Sequence, residues 1–210
     1  MKILVIGASQ GTGAHAVKEA LARGHEVTAF SRSPDKIGFD HPKLIKCPGD
    51  FHQAKSVAEA VVGHDAVIIT ASATSLKAFK DHPDYFSKGT LHVIQAMEGS
   101  SANLVVLSAL GTGNSRSLLP WLIQKLMIDL VLKLPFADHN LQEKAVQDSA
   151  LNWIIARPGR LTNGLAKKQY MKKASLEKVP PAISRADVAD FLVDAATTTT
   201  WRQKIVHLGG

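Results

Sequence analysis

Residues 2–13 read KILVIGASQGTG, an apolar run followed by a turn that contains Gly7, Gly11 and Gly13. The apolar run predicts a buried strand, and the apolar spacing from Gly11 to Arg23 predicts a helix. Glycines let the backbone turn tightly and approach a ligand closely, while the free amide groups at the start of a helix favour negative charge. A G-x-x-x-G-x-G turn between a strand and a helix therefore predicts a loop that holds the pyrophosphate of a dinucleotide.

The rest of the chain continues this alternation of strands and helices. Further strands are predicted at residues 25–30, 43–47, 65–70, 102–108, 152–156 and 204–208, and helices at 34–37, 53–62, 84–97, 118–132, 138–149 and 184–196. The strands are apolar without alternation, which is typical of strands covered on both faces in a parallel sheet. With right-handed crossovers, this order predicts an α/β fold with a doubly wound parallel sheet of the Rossmann type in three layers.

Length and composition indicate one domain over residues 1–210, and the glycine-rich turn makes it a predicted dinucleotide-binding domain. Of the 210 residues, 45% are hydrophobic and 20% are charged, as in an ordinary globular domain. The lone Cys47 excludes an intramolecular disulfide, and no Cys/His set has the spacing of a zinc site. We expect a cytoplasmic protein without a signal peptide, and no transmembrane helix, because Pro120 and three charged residues interrupt the apolar stretch at 118–134.

The chain is basic, with a formal net charge of +7 at pH 7. A positive charge favours an anionic partner, and five lysines crowd residues 167–178. Nucleic acid is disfavoured as that partner, because neither a helix-turn-helix spacing nor an RNA-binding signature accompanies the lysines. We expect instead a solvated loop on the substrate side, a small-molecule substrate and no membrane partner.

The end of the second predicted strand carries Ser31-Arg32-Ser33, with Lys36 shortly after. NAD-specific folds usually place an Asp or Glu there, against the ribose 2′-hydroxyl, and this chain has no carboxylate at that place. A guanidinium matches the 2′-phosphate of NADP in a forked contact. The pattern therefore predicts NADP as the cofactor, with a solvated Arg on a turn as the alternative.

Two further loops follow predicted strands at the carboxyl edge of the sheet, where such folds bind ligands. Gly49-Asp50-Phe51 follows the third strand, and Ala71-Ser72-Ala73 follows the fourth. We expect both loops around the adenine and its ribose, because an Asp accepts hydrogen bonds from an amino group and small residues let a cofactor lie close. Asp50 is equally well explained as a turn-forming residue after a glycine.

Together with Leu107-Ser108-Ala109, Asp138-His139-x-x-x-Glu143-Lys144 and Ile155-Ala-Arg157-Pro158-Gly159, these motifs resemble the NmrA-like, NAD(P)-binding group of atypical short-chain dehydrogenase/reductases over nearly the whole chain. Within that group, the chain is most similar to the NADPH-dependent flavin reductases, also called biliverdin-IXβ reductases. The resemblance implies contacts to the nicotinamide end from Ser108, His139 and residues 158–160. The residues expected to bind the cofactor, from the loops and from the resemblance, are Gly7, Ser9, Gln10, Gly11, Thr12, Gly13, Arg32, Lys36, Asp50, Phe51, Ala71, Ser72, Ala73, Ser108, His139, Pro158, Gly159 and Arg160.

The chain departs from the wider superfamily in its acid–base residues. Typical members protonate a carbonyl oxygen with a Tyr whose pKa is lowered by a Lys four residues later. Tyr85 and Tyr170 are followed at that spacing by Gly89 and Ala174, so simple ketone chemistry is disfavoured. An acceptor that takes hydride without a protein proton donor fits better, such as a flavin, a quinone or a linear tetrapyrrole.

Ser108 and His139 are the candidate catalytic residues. We expect Ser108, at the end of the fifth strand, to hydrogen-bond the substrate or the nicotinamide, and His139 to anchor the ribose. A Ser that ends a strand and a His that starts a helix are as readily explained as a cap and as a solvent-facing group. Both alternatives stay open.

The apolar stretch at residues 118–134 has three interpretations. With Trp121 beside the nicotinamide pocket, it would wall a site for a planar apolar substrate, or it would form a subunit contact. It would otherwise be a helix buried in its own domain. We expect residues 111–137 and 159–183 on the substrate side, and a monomer or weak homodimer.

Two functional classes remain from the sequence. The first is an NADPH-dependent oxidoreductase that passes hydride to a flavin, quinone or similar conjugated acceptor without a Tyr/Lys pair. The second is a non-catalytic NADP(H)-sensing regulator, in which bound cofactor shifts the population of a partner-binding conformation. An isomerase or epimerase that uses NADP is a weaker third class, because it also lacks the Tyr acid/base.

Overall fold

The computed structural model describes residues 1–71, Phe79 and residues 82–210. The strands in these ranges are β1 Lys2–Ile6, β2 Glu26–Ser31, β3 Leu44–Pro48, β4 Ala66–Ile69, β5 Asn103–Leu107, β6 Asn152–Pro158, β7 Arg160–Thr162, β8 Met171–Lys173, β9 Ala182–Ser184 and β10 Lys204–Gly209. The main helices are α1 Gly11–Ala22, α2 Ala54–Val61, α3 Tyr85–Ala96, α4 Lys133–Asp148 and α5 Arg185–Thr197.

Eight of the strands form one sheet in the order β3-β2-β1-β4-β5-β6-β10-β8. Val5 of β1 lies opposite Ala29 of β2 on one side and Ile68 of β4 on the other. Every neighbouring pair in this sheet is parallel except β10 with β8, while β7 and β9 form a separate parallel pair. The strand order reverses at β1 and β4, as in doubly wound folds. The predicted Rossmann-type sheet is confirmed.

Helices cover both faces of the sheet. Helices α1 and α5 pack together on one face, and α2, α3 and α4 cover the other. Successive side chains of a strand point to opposite faces, so Val5 belongs to the core under α1 and α5, and Leu4 to the opposite core. Because both faces of β1 are buried, its sequence is an unbroken apolar run.

The prediction of one continuous helix over residues 118–132 is wrong. A 3₁₀ helix, Gly113–Leu118, precedes Pro120, and an α-helical turn, Trp121–Ile123, continues as a π-helix, Gln124–Val131. Proline has no amide to donate and disfavours a helical residue before it. Leu119 is accordingly extended, with φ −89° and ψ 146°, and the helical path is broken there.

The interpretation of this stretch as a buried helix is also wrong. Ile128 is buried, but the side chains of Trp121 and Leu130 are 72% and 76% exposed. The stretch is anchored by Leu119 and Ile128, which meet Phe136 of α4 around Gly111. We call residues 118–134 the apolar segment. Neither it nor another helix in the described ranges has the length and apolar character needed to cross a membrane.

The helix predicted to begin at Asp138 begins earlier, at Lys133. Pro135 lies in its first turn, where a missing amide breaks no intrahelical hydrogen bond. Asp138 and His139 therefore lie in the second turn of α4 and not at its start.

The lysine-rich residues 167–178 do not form a loop throughout. Met171–Lys173 form β8, an edge strand that pairs antiparallel with β10, with Lys173 opposite His207. Lysines are common on edge strands because their charge prevents pairing with further strands. Such a strand is short and polar, so its sequence lacks the apolar pattern that predicts a strand.

Candidate functional site

A groove lies at the carboxyl edge of the sheet, where β1, β2 and β3 end. Its walls are the turn after β1, the residues that follow β2 and β3, Ala71 after β4, and Tyr85 at the start of α3. Eight of the predicted cofactor residues line it, namely Gly7, Ser9, Gln10, Arg32, Lys36, Asp50, Phe51 and Ala71. Residues from four separate loops are thus brought to one groove.

Gly7 and Gly13 let β1, β4 and α1 meet closely beneath this groove. Gly7 has a φ of +84°, and a Cβ built on it would lie 2.6 Å from the amide nitrogen of Ala71. A Cβ on Gly13 would lie 2.5 Å from Thr70 Oγ1 and would also collide with the carbonyl oxygen of Gly7. Any side chain at either position would collide with these neighbouring atoms, so both positions require glycine.

The start of α1 faces the groove without an internal cap. Gln10, at the N-cap, makes no side-chain hydrogen bond to the helix, and the first turn contains no acidic residue. Thr12 and Gly13 are buried at this end, and Gly11 is exposed. An anion here would receive hydrogen bonds from backbone amides and would be favoured by the helix dipole. The turn therefore fits a pyrophosphate.

Arg32 and Lys36 are two exposed cations at the β2 end of the groove. Neither pairs with a carboxylate in the part of the chain that the structure describes. Beside them, the buried hydroxyl of Ser31 finds no hydrogen-bond partner among those same residues. An unpartnered buried hydroxyl is costly, and a ribose or its phosphate would supply the partner.

Asp50 both forms a turn and lines the groove. Its Oδ1 accepts a hydrogen bond from the amide of His52 at 2.9 Å, which is the turn-forming role allowed by the sequence. Phe51 also lines the groove, but its ring lies mainly in the core against Gly89 of α3. The buried ring of Phe51 therefore anchors the loop after β3 to the core, while Asp50 lies on the groove side of that loop.

Seven residues that line the groove are not among those predicted to bind the cofactor, namely Ile6, Phe30, Ser31, Ser33, Gly49, His52 and Tyr85. His52 Nε2 lies 3.0 Å from the carbonyl oxygen of Tyr85, and the two rings meet edge to face at 4.5 Å. Burial raises the pKa of Tyr85, and the nearby Arg32 opposes that shift. His52 adjoins Asp50-Phe51 and could have been included on that ground. Tyr85 lies 33 residues further along the chain, and no local signal places it here.

Ser108 is part of a buried network at the end of β5. Its hydroxyl donates to Glu143 Oε1 at 2.6 Å, and Arg157 donates to the same carboxylate through Nε at 2.9 Å and Nη2 at 2.5 Å. Both side chains of this ion pair are 3% exposed. Because the Ser108 proton points to Glu143, the hydroxyl offers a ligand its lone pairs. Ser108 is thus an acceptor held in place by a salt bridge.

His139 has a defined hydrogen-bonding arrangement on α4. Gln142 donates to Thr90 Oγ1 at 2.9 Å, so its carbonyl oxygen faces His139 Nδ1 at 2.9 Å and accepts the proton there. The ring also stacks on Phe86 at 4.0 Å. Burial lowers the pKa of His139, although the hydrogen bond to Gln142 opposes the shift. The neutral ring then carries a lone pair on Nε2, which suits a hydroxyl donor such as a ribose.

Asp138 has a structural role that the sequence did not reveal. It is buried in α4 and its carboxylate caps the neighbouring helix α3, because it accepts hydrogen bonds from the amides of Phe86 at 2.5 Å and Ser87 at 3.1 Å. Helix caps of this kind stabilise by about 0.5–2 kcal/mol. The motif Asp138-His139-x-x-x-Glu143 thus places a helix cap, a ring and an ion-pair carboxylate on one helix.

Residues 158–160, which were also predicted to bind the cofactor, do not line the groove. Pro158 ends β6, and its carbonyl oxygen accepts from the amide of Leu110 at 2.8 Å, which brings residues 158–160 next to the loop after Ser108. Gly159 packs against the carbonyl of Pro181, and Arg160 is exposed. Ser72 and Ala73 lie outside the described residues. Cofactor contacts from all these positions stay predictions.

A family model described as NAD(P)H-binding matches residues 7–199. The match includes the glycine-rich turn, the groove and the network around Ser108. The chain belongs to this NAD(P)H-binding family. The predicted membership of an NAD(P)-binding group is confirmed.

One curated relative of this NAD(P)H-binding protein aligns with only part of the chain. A 3-beta-hydroxysteroid dehydrogenase of Mycolicibacterium neoaurum is 41% identical over 75 residues, which are 36% of this chain and 20% of that protein. The matched part therefore spans about a fifth of the length of that curated relative.

Solved structures resemble this NAD(P)H-binding protein over almost its whole length. ChuY, an anaerobilin reductase of Escherichia coli O157:H7, gives a TM-score of 0.80 at 23% identity, covering 100% of this chain and 97% of that one. A short-chain dehydrogenase/reductase of Veillonella parvula in complex with NADP gives 0.81 at 16%, covering 100% and 94%. A protein of Streptococcus pneumoniae TIGR4, provisionally described as an NADH-flavin reductase, gives 0.77 at 23%, covering 99% and 98%. These likenesses establish the shared fold.

Proposed function

We propose that this protein is an NADPH-dependent reductase that passes hydride to a flavin, a quinone or a similar conjugated acceptor. The observation that carries the proposal lies at one end of the groove: among the described residues, Arg32 and Lys36 pair with no carboxylate, and the buried hydroxyl of Ser31 beside them has no hydrogen-bond partner. Membership of an NAD(P)H-binding family supports the cofactor class, and the reductases among its structural relatives support the reaction class.

The choice of NADP over NAD rests on charge. A 2′-phosphate would lie between Arg32 and Lys36, and its hydrogen bonds to those charged groups are worth about 1.5–3 kcal/mol. NAD offers these cations only a neutral hydroxyl. Among the described residues, the carboxylate that lines the groove is Asp50 after β3, and the residues at the end of β2 supply cations instead of the Asp or Glu that accepts from that hydroxyl in NAD-specific folds. The NADP complex of a protein with the same fold agrees with this choice.

The choice of acceptor rests on how protons are held around Ser108 and His139. When bound, a reduced nicotinamide supplies hydride. Ser108 directs its proton to Glu143, and His139 directs its Nδ1 proton to Gln142. Neither group is set to give a proton to a substrate, so both are assigned to orientation: Ser108 accepts from the substrate or the nicotinamide amide, and His139 accepts from the ribose.

The apolar segment supports a planar and apolar acceptor. It is anchored around Gly111, in the loop that begins at Ser108, and it presents Trp121, Leu126 and Leu130 outward. Exposed apolar side chains in such numbers often belong to a binding surface. Residues 111–137 would thus form one wall of the acceptor site.

The test is NADPH oxidation by the purified protein with a panel of flavins and quinones. NADPH consumption that requires the protein and an acceptor, and that exceeds the rate with NADH, is the expected result. Tight NADPH binding without turnover on any acceptor would contradict the proposal and would support the NADP(H)-sensing regulator instead.

A further inference from the structure

A second guanidinium lies beside the phosphate-binding turn, on the side away from Arg32. Arg185 is the first residue of α5, and a Cβ built on Gly11 would lie 3.7 Å from its Nε. Gly11 is itself the first residue of α1. The guanidinium therefore lies within van der Waals distance of the position that a side chain at Gly11 would occupy, at the start of α1.

The packing of α5 determines which side of the turn Arg185 occupies. Helix α5 packs against α1 and across β4, β5 and β6, whereas Arg32 follows β2, on the opposite side of β1. In a doubly wound sheet, the dinucleotide crosses the carboxyl edge at the point where the strand order reverses, here between β1 and β4. Arg32 thus lies at the adenosine end, and Arg185 lies toward the nicotinamide end.

Arg185 is held in place but its charge is not neutralised. Its Nη1 donates to the amide oxygen of Asn163 at 2.7 Å. Within residues 1–71, 79 and 82–210 it forms no ion pair with a carboxylate. Its positive charge also acts on His15 of α1, whose pKa is lowered by burial, by Lys18 and by Arg185. A half-buried guanidinium fixed by a neutral amide leaves donors free for an anion.

We propose that Arg185, positioned by Asn163, binds the pyrophosphate of the cofactor at the phosphate nearer the nicotinamide. The phosphate would then be held from two sides, by the amides at the start of α1 and by a guanidinium from α5. This assignment depends on dinucleotide binding, which the family membership supports, and not on the identity of the acceptor. Failure of the reductase proposal would leave it untouched.

The test compares dinucleotides with a fragment by isothermal titration calorimetry. Arg185→Gln is expected to raise the Kd for both NADP⁺ and NAD⁺ by about 10- to 100-fold, the range for a hydrogen-bonded charge pair. The fragment 2′,5′-ADP carries the adenosine-side phosphates only, so its Kd is expected to change less than threefold. Arg32→Ala is the matched control and should give the reverse pattern, with a large loss for 2′,5′-ADP and NADP⁺ and little for NAD⁺.

Two further variants separate binding from folding. Arg185→Lys keeps the positive charge but loses the forked geometry of the guanidinium, and Asn163→Ala removes the amide that positions Arg185. Both variants should raise the Kd for NADP⁺ by less than Arg185→Gln does. Their melting temperatures should stay within a few degrees of that of the parent protein. An NADP⁺ Kd within twofold of the parent in Arg185→Gln would overturn the proposal. Equal weakening of 2′,5′-ADP and NADP⁺ would also overturn it, because it would place Arg185 at the adenosine side.

Discussion

The hydroxyl of Ser108 and the carboxylate of Glu143 meet at 2.6 Å in the interior, between the end of β5 and helix α4. The same carboxylate forms the buried ion pair with Arg157 of β6. The candidate catalytic serine is therefore fixed by a charge pair that two other elements of the fold supply.

Removing one member of this ion pair should strongly destabilise the protein. Arg157→Met leaves the Glu143 carboxylate buried without a countercharge, and such losses cost about 3–5 kcal/mol. The measurement is urea denaturation followed by circular dichroism. Lys144→Ala is the matched control, because Lys144 pairs with Asp148 on the exposed face of the same helix, where ion pairs contribute about 0–1 kcal/mol. Similar losses in the two variants would contradict a role for the buried pair.

Replacing Arg32 should change cofactor preference. Arg32→Ala removes the guanidinium beside the 2′-phosphate position, so the Kd for NADPH should rise about 10- to 150-fold, equivalent to about 1.5–3 kcal/mol. The Kd for NADH should change little, since NADH has no phosphate there. Lys55→Ala, an exposed cation on α2 whose side chain is 90% exposed, serves as the control for net charge. Equal weakening of NADPH and NADH by Arg32→Ala would defeat the NADP assignment.

Gly7 and Gly63 separate backbone strain from steric collision. Both have positive φ, +84° and +77°, but a Cβ on Gly7 would strike Ala71, whereas a Cβ on Gly63 meets nothing within 4 Å. Gly63→Ala should therefore cost about 1–2 kcal/mol from conformation alone. Gly7→Ala should cost clearly more and should also abolish NADPH binding, as measured by thermal denaturation and calorimetry. Equal stability of the two variants would contradict a steric collision between a side chain at position 7 and Ala71.

Acidification should destabilise the protein below about pH 6.5, the ordinary pKa of histidine. Burial lowers the pKa of His139, and the pKa values of His15, His25 and His207 are lowered as well, with burial as the largest cause in each. Below pH 6.5 the unfolded chain then binds more protons than the folded chain, so stability falls as the pH falls.

His139→Gln should reduce this pH dependence. Melting temperatures between pH 7 and pH 5 would show it, since most carboxylates titrate below that window. The variant should show a smaller drop than the parent protein, because it lacks the histidine whose pKa is lowered by burial. An unchanged slope in His139→Gln would mean that His139 is protonated as easily in the folded protein as in the unfolded chain.

The sequence alone determined the strand–helix order, the glycine-rich turn after β1 and the two cations after β2. Each is a local pattern: unbroken apolar runs such as 3–6 require burial on both faces, and the glycines of residues 7–13 permit contacts that any side chain would block. The position of Arg32 is also predictable, because the βαβ unit fixes the number of residues between the glycine-rich turn and the end of the next strand.

Only the tertiary structure decided which distant residues act together. Tyr85 joins the groove, Asp138 caps α3, Glu143 holds Ser108, and Arg185 approaches Gly11, each from a separate element of the chain. The local sequence around each of these residues resembles an ordinary helix, because the contact partner lies far along the chain. For a related reason the sequence left three interpretations of the apolar segment open, of which the structure excludes the buried helix. The sequence fixes how apolar the segment is, but whether its side chains are covered depends on what the rest of the fold places beside them.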